Sequence, residues 1–303
     1  HTAGVLHYMH SDPIRDMLPR LIVVSAALHV GTALRLGPVH AEAAAKQQLG
    51  QTAKTAVVAA LCSAQLLAAP AFAVPPTLQE AIIETSEAAY PVLKVLPADS
   101  FPAFATKIGD LFLGFKPDKL SKSIDLGVDL FLSVPEADLT TFNGVVKDAF
   151  DGLKPDSCDL VPLPPPSLVQ KFTSSVGFAG ADAGKLKAFD EKWGPTLKAL
   201  AKTDDGAKIC LPAAEKLDKL AIAQAKLAKS FGADEAKAFG TYFGGVAKAS
   251  IQPGKVFPLV GEAQKQTMGA DLKARQRLKT AGATLETVSK TCAALPKRDV
   301  CQF

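Results

Sequence analysis

From residue 77 to residue 153, apolar residues recur every third or fourth position in stretches of helical length, with Pro91, Pro117 and Pro135 near the stretch boundaries. Proline has no backbone N–H and its ring collides with the preceding turn, so it is admitted at a helix start and stops a helix elsewhere. A chain punctuated in this way folds into short helices joined by tight turns. The 50 alanines in 303 residues push the same way, and runs of β-branched residues are few.

Thr77 with Glu80 three residues on has capping-box spacing, which predicts a helix from 77 to Pro91 or a little beyond, with Ile82, Ile83, Ala89 and Tyr90 in its buried stripe. A second helix is predicted from about 100 to 115, carrying Phe101, Phe104, Ile108, Leu111, Phe112 and Phe115 at helical spacing. Asp118 opens a third, with Leu120, Ile124, Val128 and Phe131, which Pro135 ends. A fourth, about 136–152, has Leu139, Phe142, Val146 and Phe150. Four such helices read as an up-down bundle. Further helices are expected near 166–176, 182–201, 212–231, 233–249, 257–268 and 270–291. Pro212 fits a first turn, whereas Pro195 after Gly194 should kink its helix.

Charge divides the chain. Residues 77–153 hold six Lys against twelve Asp or Glu, a net of −6, and residues 154–303 hold 23 Lys or Arg against 15 acids, a net of +8. Pro155, Pro162, Pro164, Pro165 and Pro166 gather at the change of sign and predict a stiff connector. The expected organisation is therefore all-α, with two helical bundles in tandem after a cleavable targeting region. Residues 1–73 are that region, 74–153 an acidic four-helix bundle, 154–166 the Pro-rich connector and 167–303 a basic helical domain with disulfides.

The targeting region carries two export signals in series. His1 to His10 reads as translated leader, with Met9 or Met17 as the start. Arg20 precedes the apolar run Leu21 to Leu28, and Val39-His40-Ala41 has the small-x-small pattern of a cleavage site. Lys46 and Lys54 then precede the apolar run Val57 to Leu67, with Ala71-Phe72-Ala73 as a second site before Val74-Pro75-Pro76. Mature protein is expected to start at Val74. The rival reading, a membrane anchor over Thr55 to Val74, has the right length for a bilayer but contains Pro70 and the cleavage pattern.

The five histidines, His1, His7, His10, His29 and His40, all fall in this region. From Val74 on, the sequence therefore offers no residue for Ser-His-Asp or Cys-His catalysis and none for a His-based zinc site, so the expectation is a non-enzyme with no metal or cofactor. Cys62 lies in the second apolar run, which leaves Cys158, Cys210, Cys292 and Cys301. Four cysteines in an exported chain suggest two disulfides, and of the three connectivities 158–210 with 292–301 is favoured, each bridge closing a loop within one region. A four-thiolate metal site lacks a C-x-x-C pair to seed it.

Two export signals in tandem, over residues 17–76, resemble the multipartite presequences of thylakoid-lumen proteins in algae with complex plastids. The helical pattern, the cysteines and the proline-led start Val74-Pro75-Pro76 are similar in outline to the oxygen-evolving enhancer proteins, the helical-bundle extrinsic subunits of photosystem II. The resemblance implies a chloroplast lumenal protein, peripheral to the membrane, that stabilises or shields a photosystem core without catalysing a reaction. Photosystem II is favoured over photosystem I, and core or antenna subunits are the partners, with pigments or lipids at the interface. The alternative is a lumenal carrier of an apolar ligand such as a carotenoid or lipid, with Phe101, Phe104, Phe112, Phe115 and Phe131 lining a pocket rather than filling a core. Lys273, Arg275, Arg277 and Lys279 form a dense basic run and are the expected docking residues.

Other patterns fail on inspection. Gly177 to Lys185 resembles a phosphate loop but has Ala179 where glycine is needed and Leu186 where Ser or Thr is needed. Asp204-Asp205-Gly206 is a turn before a helix and not a calcium loop. Asp125 and Asp129 share a helix face and read as a solvated acidic surface. Lys185, Lys192, Lys216, Lys219, Lys226 and Lys229 read as a solvated basic one. No interleaving of aromatic and basic residues suggests nucleic acid.

Overall fold

The computed structural model describes residues 75–164, 180–251, 259, 262–263 and 265–303. The targeting region, the helix expected at 166–176 and most of that expected at 257–268 lie outside these. The described residues form eight α-helices: α1 Leu78–Leu93, α2 Phe101–Leu113, α3 Pro117–Leu132, α4 Glu136–Phe150, α5 Ala183–Lys198, α6 Ala214–Lys229, α7 Ala233–Ser250 and α8 Leu272–Ala294. The all-α expectation holds. Among the described residues no helix is long and apolar enough to cross a membrane.

The predicted starts and stops reappear as local chemistry. Thr77 and Glu80 form the capping box: the Thr77 hydroxyl accepts from Glu80 N at 3.2 Å and the Glu80 carboxylate accepts from Thr77 N at 2.8 Å. Pro117 opens α3, and Pro135 stands as the N-cap of α4. Helix α5 runs through Pro195 to Lys198. Pro212 lies one residue before the N-cap of α6 rather than in its first turn.

Two short strands, β1 Asp159–Pro162 and β2 Lys208–Leu211, pair antiparallel with Leu160 opposite Cys210. This corrects the connector: residues 159–162 within it form a sheet strand, ended by the one residue type that cannot donate to a ladder. On the other edge of β2, Cys210 N donates to Ala201 O and Thr203 N to Lys208 O. The turn between has Gly206 at φ +65°, open to glycine at no steric cost, and Asp205 accepts from Thr203 Oγ1 and Ala207 N. Asp204-Asp205-Gly206 is thus a turn, but into a strand.

The tandem arrangement of two bundles is not what the contacts show. Helix α1 packs on α8 and α6, α3 on α7 and α5, and α4 on α6 and α5, so the principal partners of these first-half helices lie beyond residue 182. The largest core cluster joins Val128, Leu139 and Phe142 of α3 and α4 to Phe189, Trp193 and Leu227 of α5 and α6. A second joins Leu78, Ala81 and Ile82 of α1 to Leu285 and Val288 of α8. The four residues named for α4 are all buried. The α1 stripe is turned: Leu78, Ala81, Ile82, Thr85, Ala88 and Val92 are buried, while Ile83, Ala89 and Tyr90 are half-buried. Helix α1 must face two partners, and that sets the rotation. Ile108 of α2 is exposed.

Candidate functional site

The basic run sits on the first turns of α8, whose N-cap Asp271 accepts from Lys273 N at 3.2 Å. Its four residues do not share one role. Lys273 and Lys279 are exposed. Arg277 is exposed too but reaches across to α1, its Nε 2.7 Å from Glu84 and one Nη 2.9 Å from Glu84 and 2.8 Å from Glu87. This fork-to-carboxylate pairing holds the Glu84 carboxyl below the usual range and raises the guanidinium further. Arg275 is half-buried, and its Nε is buried without a hydrogen-bond partner among the described residues. Just before the run, Met268 and Leu272 are 68% and 59% exposed, far more than large apolar residues elsewhere in α8.

Two hollows accompany α1. One, about 490 Å³, lies against α8 and is lined by Glu80, Ala81, Glu84, Arg277, Ala281 and Thr284 among others. The other, about 580 Å³, lies between α1, α4 and α6, with Phe142, Val145, Ile222, Ala223 and Leu227 below and Lys219, Lys226, Lys229 and Asp138 around it.

Of the five phenylalanines named as a pocket or core, Phe101, Phe104, Phe115 and Phe131 line neither hollow. Phe131 meets Phe189, Trp193 and Phe231 edge-on, with centroids 5.3–5.7 Å away. Phe115 is 2% exposed and packs with Leu120 and Val246. Phe101 and Phe104 contact each other on α2. The side chain of Phe112 lies outside the described residues. The stripe is therefore spread over separate packing sites.

Of the lysines read as a solvated face, Lys219 and Lys226 are exposed as expected, while others are used inside the molecule. Lys185 pairs with Asp129 at 2.7 Å, and Asp125 accepts from Asp182 N at 2.7 Å, so the two aspartates of α3 anchor the start of α5. Lys192 donates to Leu132 O and Val134 O at the end of α3, and Lys216 to Asp148 O near the end of α4. A cation there satisfies carbonyls that the helix leaves without a partner. Lys219 pairs with Glu215, and Lys229 donates to Cys301 O. Spacing alone did not reveal these roles, because each acceptor is a backbone carbonyl or a side chain on another element, or, for Lys219, a neighbour one turn back.

Both cysteine pairs are bridged as favoured, Cys158–Cys210 with Cα atoms 5.5 Å apart and Cys292–Cys301 with 5.3 Å. The first staples β1 to β2; the second ties the end of α8 to a 3-10 turn, Asp299–Cys301, and leads to Phe303, which packs on the α1/α8 cluster. Among the described residues no group of three or more Cys, His, Asp or Glu is placed to hold a metal ion. No family model, curated protein or solved structure matches this chain.

Proposed function

We propose that the chain is a non-catalytic extrinsic subunit of a photosystem in the thylakoid lumen, held to the membrane complex through the start of α8. The observation that carries this is the exposed apolar pair Met268 and Leu272 beside Lys273. Exposed apolar anchors rimmed by charge are what a protein interface presents. The disulfide-tied body suits an oxidising compartment, and the tandem signals supply the route. Arg277 is occupied by Glu84 and Glu87, so docking is assigned to Met268, Leu272, Lys273 and Lys279 rather than to the whole basic run.

The test is fractionation of thylakoid membranes. The native protein should co-migrate with a photosystem particle and leave it in high salt, since exposed ion pairs are screened beyond about 8–10 Å at ordinary ionic strength. A Met268→Asp, Leu272→Asp double variant should fail to rebind while keeping its helicity. Retention of that variant, or sedimentation of the native protein with no membrane complex, would overturn the reading.

A further inference from the structure

We propose that the loop closed by Cys292–Cys301 dips Leu295 into the interfacial layer of an anionic bilayer, with Lys297 and Arg298 on the headgroups. This does not depend on the photosystem reading. Residues 293–299 are all exposed, Leu295 by 47%. Along Leu295-Pro296-Lys297-Arg298 two apolar residues are followed by two cations. The side chains of Lys297 and Arg298 pair with no acid among the described residues, and Asp299 is the one carboxylate in the loop.

The loop is fixed at its base. Its bridge spans a sequence separation of 9, Cys301 is buried, and Lys229 Nζ donates to Cys301 O at 3.3 Å. Beyond the bridge, Phe303 packs on the α1/α8 cluster. Leu295 N donates to Thr291 O, Arg298 N to Leu295 O and Cys301 N to Arg298 O, while Pro296 has no N–H to satisfy. Unpaired backbone groups are the usual obstacle to placing a loop against lipid, and these are already paired. Order set in advance also spares the entropy of ordering on contact.

Size favours a bilayer over a protein partner. A stable protein interface takes about 20–30 residues a side, whereas this loop exposes seven. A bilayer needs no matching pocket. Leu295 supplies apolar area, and a Lys or Arg near an anionic surface adds attraction while its long stem lets the charge stay in water. The loop lies at the far end of α8 from Leu272, ~34 Å away at 1.5 Å per residue, so it is a separate surface from the one assigned to docking.

The test uses the full chain carrying Leu295→Trp, mixed with vesicles of phosphatidylglycerol and phosphatidylcholine in equal parts. Residues 1–73 hold apolar runs of their own, so the signal is read at the loop rather than by sedimentation. Trp193, the single native tryptophan, is fully buried and gives a constant background. Emission from position 295 should shift to the blue and be quenched by lipids brominated on the acyl chain. Adding Lys297→Gln with Arg298→Gln should weaken the apparent lipid affinity about thirtyfold, the factor for two cations near such a surface. The native chain should compete with the tryptophan variant for limiting vesicles, and Leu295→Gln should compete about tenfold less well. All three positions are exposed, so far-ultraviolet circular dichroism should not change. An unshifted emission, an equal response on pure phosphatidylcholine, or indifference to the two glutamines would overturn the proposal. A shift on isolated photosystem particles but not on vesicles would overturn it too, by assigning the loop to a protein contact.

Discussion

Around Trp193 the chain closes with large rings: Phe131 stands edge-on to Phe189, Trp193 and Phe231, and the indole N–H donates to Phe131 O at 3.2 Å. Between α1 and α8 the packed residues are aliphatic, Leu78, Ala81 and Ile82 with Ala281, Leu285 and Val288, and ion pairs from Arg277 to Glu84 and Glu87 run along the outside. The first region gains from apolar area removed from water, which salt and pH hardly change. The second adds to its buried aliphatic area a smaller contribution from charge, which salt and acid do change. The difference shows what the charge division of the sequence is for. The acidic half and the basic half are complementary to each other, as Lys185 with Asp129 and Arg277 with Glu84 make plain, and a good part of the asymmetry is consumed inside the molecule.

The comparison breaks first at its strongest point. Trp193→Ala should cost about 3–5 kcal/mol of unfolding free energy, the range for large-to-small changes in a packed core. Denaturant titration measures it, and the loss should be the same with and without 1 M salt. A salt-dependent loss would mean that the ring cluster is not held by burial.

The two disulfides come next and separate by loop length. In the loop-entropy picture, Cys158→Ser with Cys210→Ser, which opens a sequence separation of 52, should cost about 4 kcal/mol. Cys292→Ser with Cys301→Ser, separation 9, should cost about 2.6 kcal/mol. The reverse order, read from the same denaturation curves, would show that the second bridge clamps the α1/α8 seam as well as shortening the unfolded chain.

A smaller effect is expected at the ion pair. Arg277→Met should lower the thermal midpoint slightly at low ionic strength and not at all in 1 M salt. The Glu84 carboxyl is held below its ordinary value by Arg277, so its contribution is full above about pH 4.3, the unfolded value, and is lost as pH falls through the folded one. The variant should therefore differ from the parent at pH 7 and converge with it in strong acid.

The smallest change has the opposite sign. Burial pushes the Asp218 carboxyl up, against a smaller opposing contribution from the Ser86 hydroxyl beside it, and Asp218 Oδ1 and Ser86 Oγ both lie buried between α6 and α1. An acid raised by burial destabilises once ionised: the penalty is absent below about pH 3.9 and grows as pH rises through the folded value. Asp218→Asn should raise the thermal midpoint at pH 7 and leave it unchanged near pH 3.5. A lower midpoint at pH 7 would show that the charge is wanted there.

Local signals were legible and long-range ones were not. The capping box at Thr77 and Glu80, the proline boundaries and the α4 stripe are written within a few residues of where they act, and so could be read directly. The cysteine pairing was legible because few alternatives existed. The strand at Lys208-Ile209-Cys210-Leu211 was missed, although an Asp-Gly turn ahead of a short apolar run is a hairpin signal; four residues are too few for periodicity to speak. The cross-half packing was hidden for a different reason. An amphipathic stripe says that a helix is covered on one face, and it does not name the helix that covers it. The same limit applies to Arg277, whose spacing on α8 looks like a docking face until Glu84, 193 residues earlier, is seen beside it.

That separation sets the order in which the molecule can be completed. Helix α1 leaves a ribosome or a translocation pore long before α8, and until α8 follows, Leu78, Ala81 and Ile82 lack the surface that shields them. Contacts so distant along the chain form slowly, because a long loop must close before they reward it. A nascent chain halted before residue 272 would carry a sticky first helix, and its survival would depend on a holding chaperone or on rapid synthesis of the remainder. Helix α8 thus acts as a check on progress: only a chain extended beyond residue 272 can cover this face of α1.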